Sequence, residues 1–136
     1  MQEAQLRQLF DMYYLPIMRY LIHLTGEVTA AQDLSQKVYL KLYHYGPLNL
    51  ENPRAWLFRV ATNLGYNYLR QRENRIRNEA AAYQAKSEAT DVEEPAVRRE
   101  EKVNVHQILE SMSERDRTCL IMRFSGFSYQ EISEVI

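Results

Sequence analysis

Apolar residues recur every three to four positions along almost the entire chain, and no stretch alternates convincingly as a half-buried strand would. This periodicity predicts an all-α fold. A first helix is expected from about residue 4 to residue 25. Pro16 should kink or split this helix near Leu15, and Gly26 should end it. The predicted apolar side of this helix consists of Leu6, Leu9, Phe10, Tyr13, Ile17, Leu21 and Leu24.

The second predicted helix begins with a capping box, in which Thr29 is the N-cap and Gln32 follows three residues later. It should continue to about Tyr45. Its predicted buried positions are Ala31, Leu34, Val38, Leu42 and Tyr45. The segment GPLNLEN that follows is predicted to be a loop.

The third predicted helix opens with Asn52 as N-cap and Pro53 at the first helical position, which is a strong start signal. It should run to about Asn78 and fray onward towards Lys86. Trp56, in its first turn, is interpreted as an anchor between helices, with stacking on a base as the alternative. On a helical wheel the core side consists of Leu57, Phe58, Val60, Ala61, Leu64, Tyr68 and Leu69.

An acidic segment poor in large apolar residues, residues 87–99, is predicted to be a flexible linker between a domain at residues 1–86 and a partial domain at residues 100–136. After a helix ending near residue 112, Ser113 should cap a second helix that stops at Gly126. Ser128 and Glu131 form the capping box of a third. This order is typical of the start of a helix-turn-helix, although a plain antiparallel helix pair gives the same pattern.

Composition narrows the class of protein. Of the 136 residues, 46% are hydrophobic, so the chain can bury a core, and only 4 are Gly and 4 are Pro, which favours helices. The single cysteine, Cys119, excludes a disulfide framework within the chain and argues against a cysteine zinc site. The N-terminus lacks a secretory pattern and no run of 18 apolar residues occurs, so a cytoplasmic protein is expected.

Catalytic chemistry is not expected. The three histidines, His23, His44 and His106, are scattered, and none forms a metal-ligand spacing with another histidine or with the cysteine. The chain also lacks a glycine-rich phosphate loop and a nucleophile elbow. The expectation is therefore a protein that is not an enzyme and needs no cofactor or metal.

Charge is unevenly distributed although the net charge is only −1. Residues 54–78 contain six arginines and one acid, whereas residues 79–101 contain seven acids and three basic residues. This order suggests an anion-binding surface beside a solvated linker. A solvated, arginine-rich helix end explains the same charges equally well.

The side of the third helix opposite its core carries Arg59, Asn63, Tyr66 and Arg70, which we call the polar stripe. Arginine neutralises phosphates, asparagine can pair with a base edge, and tyrosine can stack on an unpaired base. The polar stripe therefore indicates a helix that meets nucleic acid, with an ordinary solvent-exposed side as the alternative.

The second helix also has a polar side, on which Leu40 is an apolar residue among Asp33, Gln36, Lys37 and His44. An apolar residue in such a setting hints at a surface for a protein partner, although a lone exposed leucine is common.

Three segments resemble known sigma factors of bacterial RNA polymerase, in the compact form of the extracytoplasmic-function group. AAQDLSQKVYLKLY resembles their second conserved subregion, and NPRAWLFRVATNLGYNYLRQRENR resembles their promoter-opening and minus-ten-reading subregions. LESMSERDRTCLIMRFSGFSYQEISEVI resembles the first two-thirds of their C-terminal promoter-binding domain.

The resemblance implies roles for two regions of the first domain. The second helix would dock on core RNA polymerase through Asp33, Gln36, Lys37 and Leu40. The loop before the third helix would capture a flipped minus-ten base on the single-stranded non-template strand. The loop residues concerned are Gly46, Pro47, Leu48, Asn49, Leu50 and Asn52.

For the third helix, the resemblance implies that Asn63 reads the adjoining bases with support from the rest of the polar stripe. Asn67 belongs to the same expected DNA surface, although the family commonly has an aspartate near this position.

The resemblance also implies an anti-sigma factor as a regulatory partner. The groove-entering helix of the C-terminal domain would be missing, so this chain is not expected to read a minus-thirty-five element. The alternative is a truncated, sigma-like adaptor or decoy that binds an anti-sigma factor without driving transcription.

Overall fold

The computed structural model describes residues 3–46, 51–86 and 107–136, and within these ranges every regular element is helical, which confirms the all-α prediction. The linker and the start of the helix predicted after it lie outside the described residues. A short helical stretch covers residues 107–111. The labelled helices are α1 (Glu3–Thr25), α2 (Val28–Tyr45), α3 (Pro53–Lys86), α4 (Glu114–Phe124) and α5 (Tyr129–Val135).

Helix α1 is continuous through Pro16, so the predicted alternative of a split is wrong, and the alternative of a kink stays a prediction. A proline inside a helix removes one backbone hydrogen bond. The residues just after it compensate by packing, since Ile17 and Leu21 are fully buried. Gly26 ends α1 as predicted: its φ is 75°, and its amide donates to the carbonyl of Ile22 at 2.8 Å.

Helix α2 begins one residue earlier than the predicted cap, because the turn from α1 takes only Gly26 and Glu27. Thr29 lies inside the first turn, and the predicted capping box is therefore wrong. The Glu27 amide instead donates to the Thr25 hydroxyl at 3.2 Å. Four predicted buried positions of α2 are confirmed, but Tyr45 is 81% exposed because the packing of this helix ends at Leu42.

Helix α3 begins as predicted, because the side-chain oxygen of Asn52 accepts the Ala55 amide at 3.2 Å. The predicted core side of α3 is confirmed: Leu57, Phe58 and Ala61 are buried. The remaining members pack partly buried against the core, as does Trp56.

Close contact between α1 and α3 depends on two positions. A Cβ atom added to Gly65 would lie 2.6 Å from Cδ2 of Leu24, so the two helices approach more closely than a side chain at residue 65 allows. Nearer the start of α3, the ring of Tyr20 meets the ring of Phe58 edge-on at 5.4 Å, and its hydroxyl lies 2.7 Å from that of Thr62.

Residues 107–136 form a second unit, which we call the C-terminal unit. Both of its predicted caps are confirmed: the Ser113 hydroxyl accepts the Asp116 amide, and Ser128 and Glu131 form a complete capping box. Between α4 and α5, Gly126 has a φ of 96°, a conformation that favours glycine. The arrangement is a helix, a short turn and a second capped helix, as predicted.

The C-terminal unit packs directly on the α1–α3 bundle, a contact that the sequence did not predict. The ring of Phe127 lies 4.7 Å from that of Phe58 in an edge-on arrangement. Phe127 joins Ile121, Met122, Ile132 and Val135 in an apolar core continuous with that of the bundle. Within the described ranges, none of the helices has the length and apolar character needed to cross a membrane.

Candidate nucleic-acid interface

Three members of the polar stripe are exposed as predicted, namely Arg59, Asn63 and Arg70, and so is Asn67. Tyr66 is only 5% exposed, so the prediction that it faces solvent is wrong. The physical reason is that the C-terminal unit covers this part of α3.

The contacts of Tyr66 explain its burial. Its hydroxyl donates to the backbone carbonyl of Glu114 at 2.8 Å and lies 2.7 Å from the hydroxyl of Thr118. The Arg117 guanidinium lies 5.5 Å from the centre of the ring. Burial raises the pKa of Tyr66, partly offset by the hydrogen bond with Thr118. The phenol is therefore held neutral inside the contact between α3 and α4.

Arg70 also binds α4. Its guanidinium forms a bidentate set of hydrogen bonds, 2.6 to 3.0 Å long, with both carboxylate oxygens of Glu114. It also donates to the side-chain oxygen of Asn67 at 2.9 Å. The amide group of Asn67 therefore positions this arginine from one turn earlier on α3.

The start of α3 meets α5 in a similar way. Arg54 pairs with the carboxylate of Glu131 and lies 4.0 Å above the ring of Phe127. Arg59 donates to the backbone carbonyl of Glu134, and the side chain of Asn52 donates to the carboxylate of the same residue at 2.6 Å.

Asn63 differs from its neighbours on the stripe. It is exposed, and its side chain forms no hydrogen bond with another residue in the part of the chain that the structure describes. Its amide donor and acceptor remain available to a ligand.

The sequence did not indicate the carboxylates that meet these arginines. Glu114 and Glu131 lie in the first turns of their helices, where acids are favoured for local reasons, so a longer-range role was not inferred. The spacing of Glu131 and Glu134 was a usable signal, because residues three apart share one side of a helix.

Of the loop predicted to capture a base, only the two ends fall within the described residues. The Gly46 amide donates to the carbonyl of Leu42 at 3.0 Å and ends α2. Asn52 opens α3. Residues 47–50, comprising Pro47, Leu48, Asn49 and Leu50, lie outside the described residues.

The side of α2 turned away from the bundle carries Asp33, Gln36, Lys37 and Leu40, all exposed, and we call it the α2 face. Leu40 is 57% exposed, and Lys37 pairs with Asp33 at 3.1 Å along the helix. Tyr43, also 57% exposed and three residues after Leu40, enlarges the apolar part of this surface and was not singled out from the sequence.

Comparison with protein families matches two parts of the chain to the same family. The model for Sigma-70 region 2 matches residues 9–75, which include most of α1, all of α2 and the first two-thirds of α3. The model for Sigma-70, region 4 matches residues 102–136, which include the C-terminal unit.

The curated relatives that match the chain are RNA polymerase sigma factors. The chain is 28% identical to the RNA polymerase sigma-H factor of Pseudomonas aeruginosa, over 91% of this chain and 70% of that protein. It is 27% identical to the ECF RNA polymerase sigma factor SigM of Bacillus subtilis, over 51% of this chain and 43% of that protein. It is 32% identical to the ECF RNA polymerase sigma factor SigL of Mycobacterium tuberculosis, over 46% of this chain and 37% of that protein.

The chain is a sigma-70 factor of the extracytoplasmic-function type. Sigma factors are transcription initiation factors that recognise promoters together with RNA polymerase. The chain spans less than half the length of two of the three relatives named above. No solved structure gave a significant match.

In this sigma factor the polar stripe, the start of α3 and the α2 face all belong to region 2. The carboxylates that occupy the arginines belong to region 4. No cluster of three metal-ligating side chains occurs within the described ranges, and Cys119 is a partly buried free thiol.

Proposed function

We propose that this sigma factor directs core RNA polymerase to promoters and opens the minus-ten element with the exposed side of α3. The observation that carries the proposal is the position of Asn63, exposed and without a hydrogen bond to another described residue, between Arg59 and Arg70. An asparagine amide can pair with a base edge while flanking arginines neutralise the adjacent phosphates. Asn67 would keep Arg70 in place for such a contact.

Opening the duplex also needs a site for an unpaired base. Extruding a base costs a few kcal/mol of stacking and pairing, and phosphate contacts with a pocket can offset that cost. We assign the pocket to the loop from Gly46 to Asn52, with Pro47, Leu48, Asn49 and Leu50 at its centre. This loop leads into the first turn of α3, the helix that carries Asn63.

We assign the docking of core RNA polymerase to the α2 face. Leu40 and Tyr43 supply exposed apolar area, and the surrounding Asp33, Gln36 and Lys37 supply a polar rim, which is the usual arrangement of a protein interface. This surface lies on a different helix from the polar stripe, so polymerase and DNA could be bound together.

Substitution of Asn63 tests the base-reading role. In complex with core polymerase, Asn63→Ala should weaken binding to particular minus-ten bubble sequences by about 1–3 kcal/mol, because one paired contact to a base edge is lost. Asn78→Ala is the matched control, since Asn78 is an exposed asparagine further along α3. Binding is measured by fluorescence anisotropy on pre-opened promoters that differ at one base. Wild-type affinity of Asn63→Ala on every sequence would contradict the proposal.

We also propose that an anti-sigma factor restrains this protein. Phe124 and Tyr129, 83% and 75% exposed, offer a protein partner an aromatic surface on the C-terminal unit. A second candidate function is a decoy that only sequesters the anti-sigma factor, and the carboxylates on the α3 arginines favour it. Adding core polymerase and a labelled promoter bubble separates the two, since a decoy forms no slower-migrating complex with both.

A further inference from the structure

We infer that Glu27 is a positioning residue, which sets the angle between α2, the proposed polymerase-docking helix, and α3, the proposed DNA-reading helix. It acts through Tyr68 and Arg72 of α3, and we call these three residues and Thr25 the turn cluster. The inference rests on the proposed function and adds the part of the chain that holds its two surfaces at a fixed angle.

Arg72 contacts both sides of the turn between α1 and α2. Its guanidinium donates to the backbone carbonyl of Thr25, the last residue of α1, at 3.0 Å, and it pairs with the Glu27 carboxylate at 3.3 Å. The hydroxyl of Tyr68, one turn earlier on α3, donates to the other oxygen of the same carboxylate. Both carboxylate oxygens of Glu27 are therefore held by α3.

The hydrogen bond between Tyr68 and Glu27 joins a neutral phenol to an ionised carboxylate. This bond is the main cause of the lowered pKa of Glu27 and of the raised pKa of Tyr68. Such charge-assisted hydrogen bonds are stronger than those between neutral groups. The side chain of Arg72 is only 25% exposed, so its pair with Glu27 is less screened by solvent than an ordinary surface pair.

Glu27 is the N-cap of α2, but its side chain forms no capping hydrogen bond. The preferred N-cap residues have short side chains that accept an amide of the first turn. The first turn of α2 also contains no acid that would favour the start of the helix. The carboxylate at this position therefore serves the contact with α3 rather than the start of its own helix.

The turn cluster supplies a directional contact that α2 itself lacks. Among the described residues, no hydrogen bond or ion pair joins Val28–Tyr45 to α3, and the two helices pack through apolar side chains. Apolar contact is non-directional, and packed helices can shift by about 1–2 Å. Hydrogen bonds have narrow limits of distance and angle. The orientation of α2 on α3 therefore depends on Glu27.

The turn cluster is distant from both proposed surfaces. Leu40 follows Glu27 by 13 residues, about 20 Å along α2, and Asn63 precedes Arg72 by nine residues, about 14 Å along α3. A tilt of α2 by about 5° at the turn would move Leu40 by about 1.7 Å. When polymerase and DNA are bound together, such a shift places α3 wrongly on the DNA although neither surface has changed.

The test compares two acids that each pair with an arginine. Glu27→Ala removes both contacts of the carboxylate in the turn cluster, whereas Glu73→Ala removes an exposed pair with Arg77 within α3. The complex of Glu27→Ala with core polymerase should bind a minus-ten bubble about tenfold more weakly than the wild-type complex. Its Kd for core polymerase alone should be unchanged, and Glu73→Ala should match wild type in both measurements. Wild-type bubble affinity of Glu27→Ala, or equal weakening in both variants, would overturn the inference.

A double-mutant cycle separates positioning from a general loss of stability. Tyr68→Phe removes one contact of the carboxylate and should weaken bubble binding by the complex less than Glu27→Ala does. Because the Tyr68 hydroxyl bonds to Glu27, adding Tyr68→Phe to Glu27→Ala should weaken binding no further. Additive losses, or a parallel loss of affinity for core polymerase, would contradict a positioning role. If the wild-type chain bound neither core polymerase nor the bubble, the proposed function would fail, and the inference with it.

Discussion

The hydroxyl of Tyr66 lies within hydrogen-bonding distance of two acceptors on α4, although the helical wheel placed this residue opposite the core. The wheel was correct about the side of α3 on which Tyr66 lies. The wheel could not show that the environment of this side changes along the helix, from solvent at Asn63 to a second helix at Tyr66. An amphipathic pattern distinguishes polar from apolar sides, and tyrosine fits both.

Removing the hydroxyl of Tyr66 should weaken the contact between α3 and α4 without leaving a large cavity. Tyr66→Phe is expected to lower the free energy of unfolding by about 1 kcal/mol, the usual net value of one buried hydrogen bond. The Thr118 hydroxyl still donates to the Glu114 carbonyl at 2.7 Å, so no buried donor loses its partner. Urea denaturation measures the change, with Tyr43→Phe as the exposed control. A stability equal to wild type would mean that the contacts of this hydroxyl with Glu114 and Thr118 contribute nothing.

At the scale of the helices, the sequence predicted the caps of single helices well and the effects of packing between helices poorly. The start of α3 at Asn52 and Pro53 and the caps at Ser113 and Ser128 were all confirmed, because each depends on residues within one turn. The split at Pro16 was wrong, because the packing of distant residues outweighs one lost backbone hydrogen bond.

The capping box at Thr29 failed for a different reason. Its sequence pattern is genuine, but α1 ends at the turn of Gly26 and Glu27 is the N-cap of α2, so Thr29 already lies inside the helix. The geometry of the preceding helix end therefore decided the start of the next one. A pattern read in one segment cannot include that constraint.

The α2 face gives a prediction at this scale. Leu40→Asp should weaken binding of core polymerase by at least about 2 kcal/mol, roughly 30-fold in Kd, because it places a charge at the centre of the proposed interface. The fold should be unaffected, since Leu40 is 57% exposed. Leu15→Asp is the matched control: this leucine is 60% exposed and lies on α1. Surface plasmon resonance with immobilised core polymerase provides the measurement, and unchanged binding of Leu40→Asp would rule out this face.

The packing of region 4 on region 2 belongs to the whole molecule, and nothing in the sequence predicted it. The residues that form hydrogen bonds across this contact are 44 to 82 positions apart, for example Arg70 with Glu114 and Asn52 with Glu134. The sequence contains an arginine-rich stretch, which was interpreted as an anion-binding surface. Part of that anion is the chain's own carboxylates, those of Glu114 and Glu131, and the sequence had given only Glu131 a role, in a capping box.

The pH dependence of stability also belongs to the whole molecule. A hydrogen bond from Tyr68 lowers the pKa of Glu27, and hydrogen bonds from the backbone and hydroxyl of Ser128 lower the pKa of Glu131, both from 4.5. A lowered acid pKa stabilises the fold above the ordinary value, and this stabilisation is lost as the pH falls through the lowered value. Burial raises the pKa of Tyr20 and Tyr66 from 10.0, so their contribution is present below pH 10.0 and is lost as the pH rises further.

Stability should therefore be greatest between about pH 5 and pH 9 and should fall on both sides. The urea midpoint measured across this range checks the expectation. Glu131→Gln should reduce the loss on the acid side, because this residue can no longer take up a proton. If the variant and wild type lose stability equally below pH 4.5, Glu131 does not contribute to the acid response.

The side-chain amide of Asn52 forms two hydrogen bonds. Its oxygen accepts the Ala55 amide in the first turn of α3, and its nitrogen donates to the carboxylate of Glu134, 82 positions later. A single amide group therefore connects the start of α3 to α5. A protein that binds the C-terminal unit and displaces α5 would break the hydrogen bond between Asn52 and Glu134. Such a partner would therefore act on the end of the loop at Asn52 without contacting the loop.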